Sequence, residues 1–280
     1  MAISLTSHSY GKAGIHAVRV DRTGGRHRLR DLTVSTALSG DFADCYLHGD
    51  NSAVLPTDSQ KNTVYAFLAE PFTDIEELAL RLARHFTAEL PAVRSAQVTV
   101  AERSWDPVEG VGAEHGAFRT ASGESRFTEA VVGPDGERVA AGTEGLSLLK
   151  ATGSSFAGFA RDRYTTLPET EDRILATALW ARWEYQGVPA DWDKAYATVR
   201  AQLLEAFAET RSLALQQTLF AMGGRALAAV GELRSIHLRL PNLHHVAVDL
   251  TPFGLSGGHE VFAVPDRPYG VIEATVARTP

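Results

Sequence analysis

Pro56-Thr57-Asp58-Ser59-Gln60-Lys61-Asn62-Thr63-Val64-Tyr65-Ala66-Phe67-Leu68 is the stretch from which the architecture can be read outward. A polar, acceptor-rich run leads straight into an apolar one, the form of a capped helix start. The first N–H groups of such a terminus have no partner within the helix, so they suit an anion or an oxygen-rich planar ligand. Upstream, Gly14 to Phe42 holds two strand-like runs about a Thr23-Gly24-Gly25 turn, with Leu32, Val34, Thr36 and Leu38 on one face. Downstream, a second helix is expected from near Asp74, because Ile75, Leu78, Leu82 and Phe86 recur at helical spacing. Ala96, Val98 and Val100 then alternate as a strand. Another strand runs from Gly116 to Val132, up to a Gly133-Pro134-Asp135-Gly136 turn. The order is β-β-α-α-β-β.

The second half reads as the same order again. Leu146 to Ala151 is strand-like. Thr166-Leu167-Pro168-Glu169 has the form of a capping box, and predicts a helix through Arg173, Ile174, Leu175 and Leu179. Leu55-Pro56 and Leu167-Pro168 then open corresponding helices. A further helix carries Trp192, Tyr196, Val199, Leu203 and Phe207, and another covers Gln216 to Val230. Strands are expected at Ile236 to Leu240, at His244 to Val248, near Glu260 to Val264, and from Tyr269 to Ala277. These observations predict an α+β protein of two tandem β-β-α-α-β-β units, 1–138 and 139–280, with an antiparallel sheet and helices on one face. Such a sheet has open edges, and oligomerisation is one way to close them.

The chain has 280 residues, 44% hydrophobic and 22% charged, with a net charge of -7. That balance argues against nucleic-acid and anionic-membrane partners, which need a dense basic face. The most basic stretch, Arg26-His27-Arg28-Leu29-Arg30, alternates with apolar residues as the solvent side of a strand does. Cys45 is the single cysteine, so intrachain disulfides and CxxC sites are excluded; a reducing, cytoplasmic setting is expected. No apolar run approaches the roughly 20 residues of a membrane-spanning helix.

Two segments carry candidate chemistry besides the helix start near Asp58. Phe156 to Arg173 brings an aromatic ring and a guanidinium, the complement of a planar anion, and suggests the second half of a composite pocket. Near the end, strand alternation puts His244 with Val246 and Val248, and His245 on the opposite face with Asp249. The two histidines point apart and do not suit one metal ion, so no metal site is expected.

Tyr10-Gly11-Lys12, Thr57-Asp58-Ser59 with Lys61-Asn62-Thr63, Phe156 with Gly158-Phe159, Arg161-Asp162, Tyr164 to Leu167, Glu169-Thr170, Asp172 to Leu175, Gln216, and Pro241-Asn242 with His244 together resemble bacterial-type urate oxidase (uricase). The matches run in order from residue 10 to about 250. The resemblance implies the tunnelling fold (T-fold). It also implies oxidation of urate by O2 to 5-hydroxyisourate and hydrogen peroxide, with no metal and no organic cofactor. By the same resemblance, Phe156 stacks on the purine and Arg173 grips one edge through two parallel N–H bonds. Gln216 reads the neighbouring edge, and the backbones of Leu215 and Asp58 complete the rim. Lys12, Thr57 and His244 resemble the family's proton relay, and Asn242 would hold O2 or water above the ring. The family's homotetramer would place four sites at subunit interfaces. Ala157, Leu215 and Leu243 depart from the better-known pattern without removing a group this chemistry needs. The rival readings are another tunnelling-fold enzyme acting on a purine or pterin, and a catalytically silent purine-binding protein. The lone Cys45 disfavours the metal-dependent form of the first.

Overall fold

The computed structural model describes residues 3–22, 27–109, 116–255 and 260–279. The chain divides into two compact units. The first is Met1–Gly142 with Glu184–Asp193, and the second is Thr143–Trp183 with Lys194–Pro280.

In the first unit, β1 (Tyr10–Asp21) pairs antiparallel with β2 (Arg28–Gly40), and β2 with β3 (Val93–Pro107). β3 pairs with β4 (Phe118–Gly133), which turns at 134–135 into β5 (Gly136–Lys150). The hairpin between β1 and β2 is as expected, although its Thr23-Gly24-Gly25 turn and Arg26 lie outside the described residues. Period-two alternation does the sorting: Leu32, Val34 and Leu38 are fully buried, and Thr36 is buried beside them. Above this face lie α2 (Thr57–Ala69) and α3 (Ile75–Glu89). Ile75, Leu78, Leu82 and Phe86 form the apolar stripe of α3, all four fully buried. A six-residue helix, α1 (Ala43–His48), was not expected; Gly49 ends it in the left-handed conformation. Six residues are too few for a periodicity to show.

The basic stretch on β2 differs from its expected solvent-facing role. The Arg30 guanidinium is forked onto Glu102 at 2.6 and 2.9 Å and lies 4.5 Å from the Phe72 ring centre. It walls a cavity of about 640 Å³ with Arg19, Arg28 and Arg126. A buried ion network lies alongside. Arg126 donates to Glu76 at 2.7 Å, with Glu76 wholly buried, and also to Asp193. Burial and then the neighbouring Asp193 push the Asp74 carboxyl up to about 6.

In the second unit the sheet order is β5, β6 (Leu175–Tyr185), β7 (Leu233–Leu243) and β10 (Gly270–Ala277). The expected helix through Arg173 to Leu179 is therefore wrong. Residues 164–174 are irregular, and Leu175, Thr177, Leu179, Ala181 and Trp183 form the buried face of a strand. A four-residue spacing satisfies both periods, and the intervening Thr177 and Ala181 decide for period two. Leu167-Pro168 accordingly opens no helix. α4 (Trp192–Glu209) carries the predicted stripe, α5 (Leu215–Ala229) matches the expected span within a residue at each end, and α5 packs on β7 and β10. Gly223 permits that approach, because a Cβ there would lie 2.7 Å from Val276 Cγ2. The expected His244 to Val248 strand is reduced to β8 (Val246–Ala247), paired with β9 (Phe262–Ala263). His244 and His245 lie in the break before it, so strand alternation does not govern them.

Candidate active site

Each unit carries part of the candidate constellation. In the first, Lys12 sits on β1 opposite Thr36, directly before a bulge between Lys12 and Ile15. Gly11 allows the strands to close there, since a Cβ would fall 1.8 Å from the Thr36 carbonyl oxygen. Tyr10 packs edge-on against Phe42, and its hydroxyl accepts the Leu55 N–H at 2.9 Å. This ties the approach to α2 onto β1.

The start of α2 corrects one expectation. The N-cap is Pro56, which makes no side-chain cap, and Thr57 is the first helical residue. Gln60 N–H makes the first intrahelical bond, to the Pro56 carbonyl at 3.1 Å. The N–H groups of Thr57, Asp58 and Ser59 are thus left without an intrahelical acceptor. The Asp58 carboxylate accepts from Lys61 and, at 3.2 Å, from Asn62. Those bonds, with the nearby Lys12 charge, hold its carboxyl below the usual range. Its charge is spent along its own helix, leaving the backbone as the feature open to a ligand.

In the second unit, Phe156 and Thr170 exchange backbone bonds at 2.8 and 3.0 Å, and Arg173 N–H donates to the Ser154 carbonyl at 2.8 Å. The Asp172 carboxylate fastens the same loop through Thr152 Oγ1 at 2.6 Å and Gly153 N–H at 2.8 Å. Arg173 lies with its guanidinium carbon 5.2 Å from the Phe156 ring centre. One face of Phe156 is covered by Phe159, stacked at 4.9 Å and 16°. Arg173 Nε is buried and has no hydrogen-bond partner among the described residues. Burial pulls the guanidinium below its ordinary pKa, yet it remains a cation.

Leu215 and Gln216 open α5, whose N-cap, Ala214, makes no side-chain bond. The Leu215 side chain is buried in the core, which leaves its backbone for a ligand, and Gln216 is exposed. Sequence reasoning missed the pair that joins this helix start to the Phe156 loop. Ser212 accepts from Ser155 N–H at 2.7 Å and donates its own N–H to Gly153 at 2.9 Å, while Thr218 donates to Ser212 Oγ at 2.8 Å. Phe156, Arg173, Leu215 and Gln216 are therefore held by one hydrogen-bonded assembly. Asn242 is the penultimate residue of β7, opposite Gly270, and His244 lies half-buried just past the strand's end. No group of three or more metal-ligating side chains occurs among the described residues.

A family model described as Uricase matches residues 8–131 and 139–273. The chain is 46% identical over 276 residues to the uricase of Arthrobacter globiformis, covering 99% of this chain and 90% of that one. Against the uricase of Dictyostelium discoideum it is 32% identical over 281 residues, with 99% and 98% covered. The crystal structure of the Arthrobacter globiformis uricase matches with a TM-score of 0.95, covering 99% of this chain and 96% of that chain. The urate oxidase of Bacillus sp. TB-90 matches with a TM-score of 0.81 at 25% identity, covering 97% of this chain and all of that one (100%). With the strand order above, these similarities establish the α+β tunnelling fold.

Proposed function

Because this chain belongs to the uricase family and is an enzyme of urate oxidation, we propose that it oxidises urate with O2 and water to 5-hydroxyisourate and hydrogen peroxide, using neither metal nor organic cofactor. The observation that carries this reading is Arg173 Nε, buried beside the Phe156 ring and without a hydrogen-bond partner among the described residues. A buried guanidinium N–H without an acceptor is costly, and the planar, acceptor-edged urate anion supplies what it lacks. Phe156 stacks on the purine, Arg173 takes one edge, and Gln216 takes the next. The Leu215 and Asp58 backbones close the rim.

Lys12, acting through the Thr57 hydroxyl, removes a proton, and the urate dianion gives two electrons to O2 in steps. Protons and electrons together make hydrogen peroxide, and water adds at the purine C5. His244 links the relay to solvent, and Asn242 holds O2 and then the water. A dry, pre-oriented pocket supplies the rest. As part of the same reading, the duplicated units are placed at 1–138 and 139–280. The active form is a cytoplasmic homotetramer in which Lys12 and Thr57 face the Phe156, Arg173 and Gln216 of a neighbouring copy.

The test is urate loss, oxygen uptake and peroxide release measured together on chelator-treated protein. Equal consumption of urate and O2 with matching peroxide is the expected result. Binding of urate without turnover would leave a silent purine-binding protein. Turnover restored only by added metal would remove the cofactor-free mechanism.

A further inference from the structure

Two buried polar side chains of the first unit have no part in the chemistry above, and both lie between residues that do. Gln60 is fully buried in the first turns of α2, and Thr36 is 5% exposed on the apolar face of β2. Thr36 Oγ1 accepts the Lys12 backbone N–H at 3.2 Å and donates to Gln60 Oε1 at 2.7 Å. Gln60 Nε2 in turn donates to the Leu55 carbonyl at 3.4 Å. Leu55 N–H donates to Tyr10 on the strand that carries Lys12. The result is a chain of hydrogen bonds running Tyr10, Leu55, Gln60, Thr36, Lys12, closed into a ring by the β1 backbone through Gly11. Thr57 lies on the chain segment that the ring spans, between Leu55 and Gln60.

We propose that Thr36 and Gln60 are positioning residues for the proton relay, their buried hydrogen-bonded link fixing Lys12 of β1 against Thr57 of α2. The need for such a link is local. The bulge after Lys12 interrupts the ladder, and Gly14 there turns its N–H to the Ser35 hydroxyl at 3.1 Å. Ladder bonds therefore do not set the position of Lys12 on its C-terminal side. Proline at the N-cap also leaves α2 without a side-chain anchor at its first residue. A hydroxyl and an amide in an apolar layer are directional where leucine and valine are not. A hydrogen-bonded pair holds one geometry, whereas apolar contacts permit sliding. Small displacements of a proton-transfer pair carry a large rate penalty.

This inference rests on the relay role given to Lys12 and Thr57. It is tested with Thr36→Val, which keeps the shape and removes the hydroxyl, and Gln60→Met, which keeps the volume and removes the acceptor. In each, kcat should fall about tenfold or more and the pH profile of kcat should move. The Kd for a non-oxidisable xanthine analogue should stay within about twofold of wild type. Thr36→Ser should restore kcat. A lower Tm with wild-type kcat and pH profile in either folded variant would reduce the pair to core packing and overturn the proposal. Lys12→Ala run alongside separates the two readings. Full turnover there removes the relay and this inference with it. Loss of turnover there, with Thr36→Val and Gln60→Met unaffected, removes only the positioning role.

Discussion

At the scale of single residues, the proposed chemistry turns on Arg173, whose Nε is buried without a hydrogen-bond partner among the described residues. Arg173→Lys keeps a positive charge but loses the planar fork, so urate KM should rise at least about tenfold in steady-state assays, with a smaller effect on kcat. Asp74 makes a separate prediction about stability. Its folded pKa, about 6, lies above its unfolded value. Its contribution is therefore fully present below the unfolded value and is lost as pH rises through about 6. Asp74→Asn removes that titration. The Tm of wild type minus that of Asp74→Asn should fall between about pH 4 and pH 7, and a difference independent of pH would refute the assignment. The sequence showed such residues unevenly. Lys12, Thr57, Phe156, Arg173 and Gln216 were legible through a family resemblance. Thr36 was visible only as a hydroxyl among Leu32, Val34 and Leu38, and Gln60 as an amide at the four-residue spacing of Val64 and Leu68. Neither has meaning until its partner is known, and Thr36 and Gln60 belong to different elements.

At the scale of elements, Arg278 closes the second unit. Its guanidinium donates to the Leu233 carbonyl at 2.9 Å and to the Leu227 and Val230 carbonyls at the end of α5. A cation there satisfies open carbonyls and meets the negative end of the helix. Arg278→Ala should cost about 1 kcal/mol, seen as a lower Tm with unchanged urate KM. Gly11→Ala is expected to be far more damaging. Its Cβ would overlap the Thr36 carbonyl oxygen and push β1 off β2, so soluble yield and turnover should fall together. Elements with long, one-sided periodicities, such as α3 and β3, were readable from the chain. β6 was not, because Leu175 and Leu179 fit either period and Pro168 imitates a helix start. The isolation of β8 depends on its pairing with β9, a contact no local pattern contains.

At the scale of the whole molecule, the proposed tetramer makes each pocket a joint product of two chains. Protein held as a verified monomer, by dilution or by charge substitution at the interface, should lack turnover, and activity should return with assembly in light-scattering and rate measurements. Mixing inactive Lys12→Ala chains with inactive Arg173→Ala chains should restore part of the activity, since some pockets then receive both intact halves. The stack of Phe159 on Phe156 reaches further than binding. With one side of that ring taken, the proposed purine stack is left the other side, where Arg173 would set its orientation. Urate is flat, and its two sides are mirror-related until the protein distinguishes them. In the proposed reaction, oxygen added at C5 should then arrive from a single direction, and the product should leave the enzyme as one hand of a chiral molecule, detectable by circular dichroism before it decays.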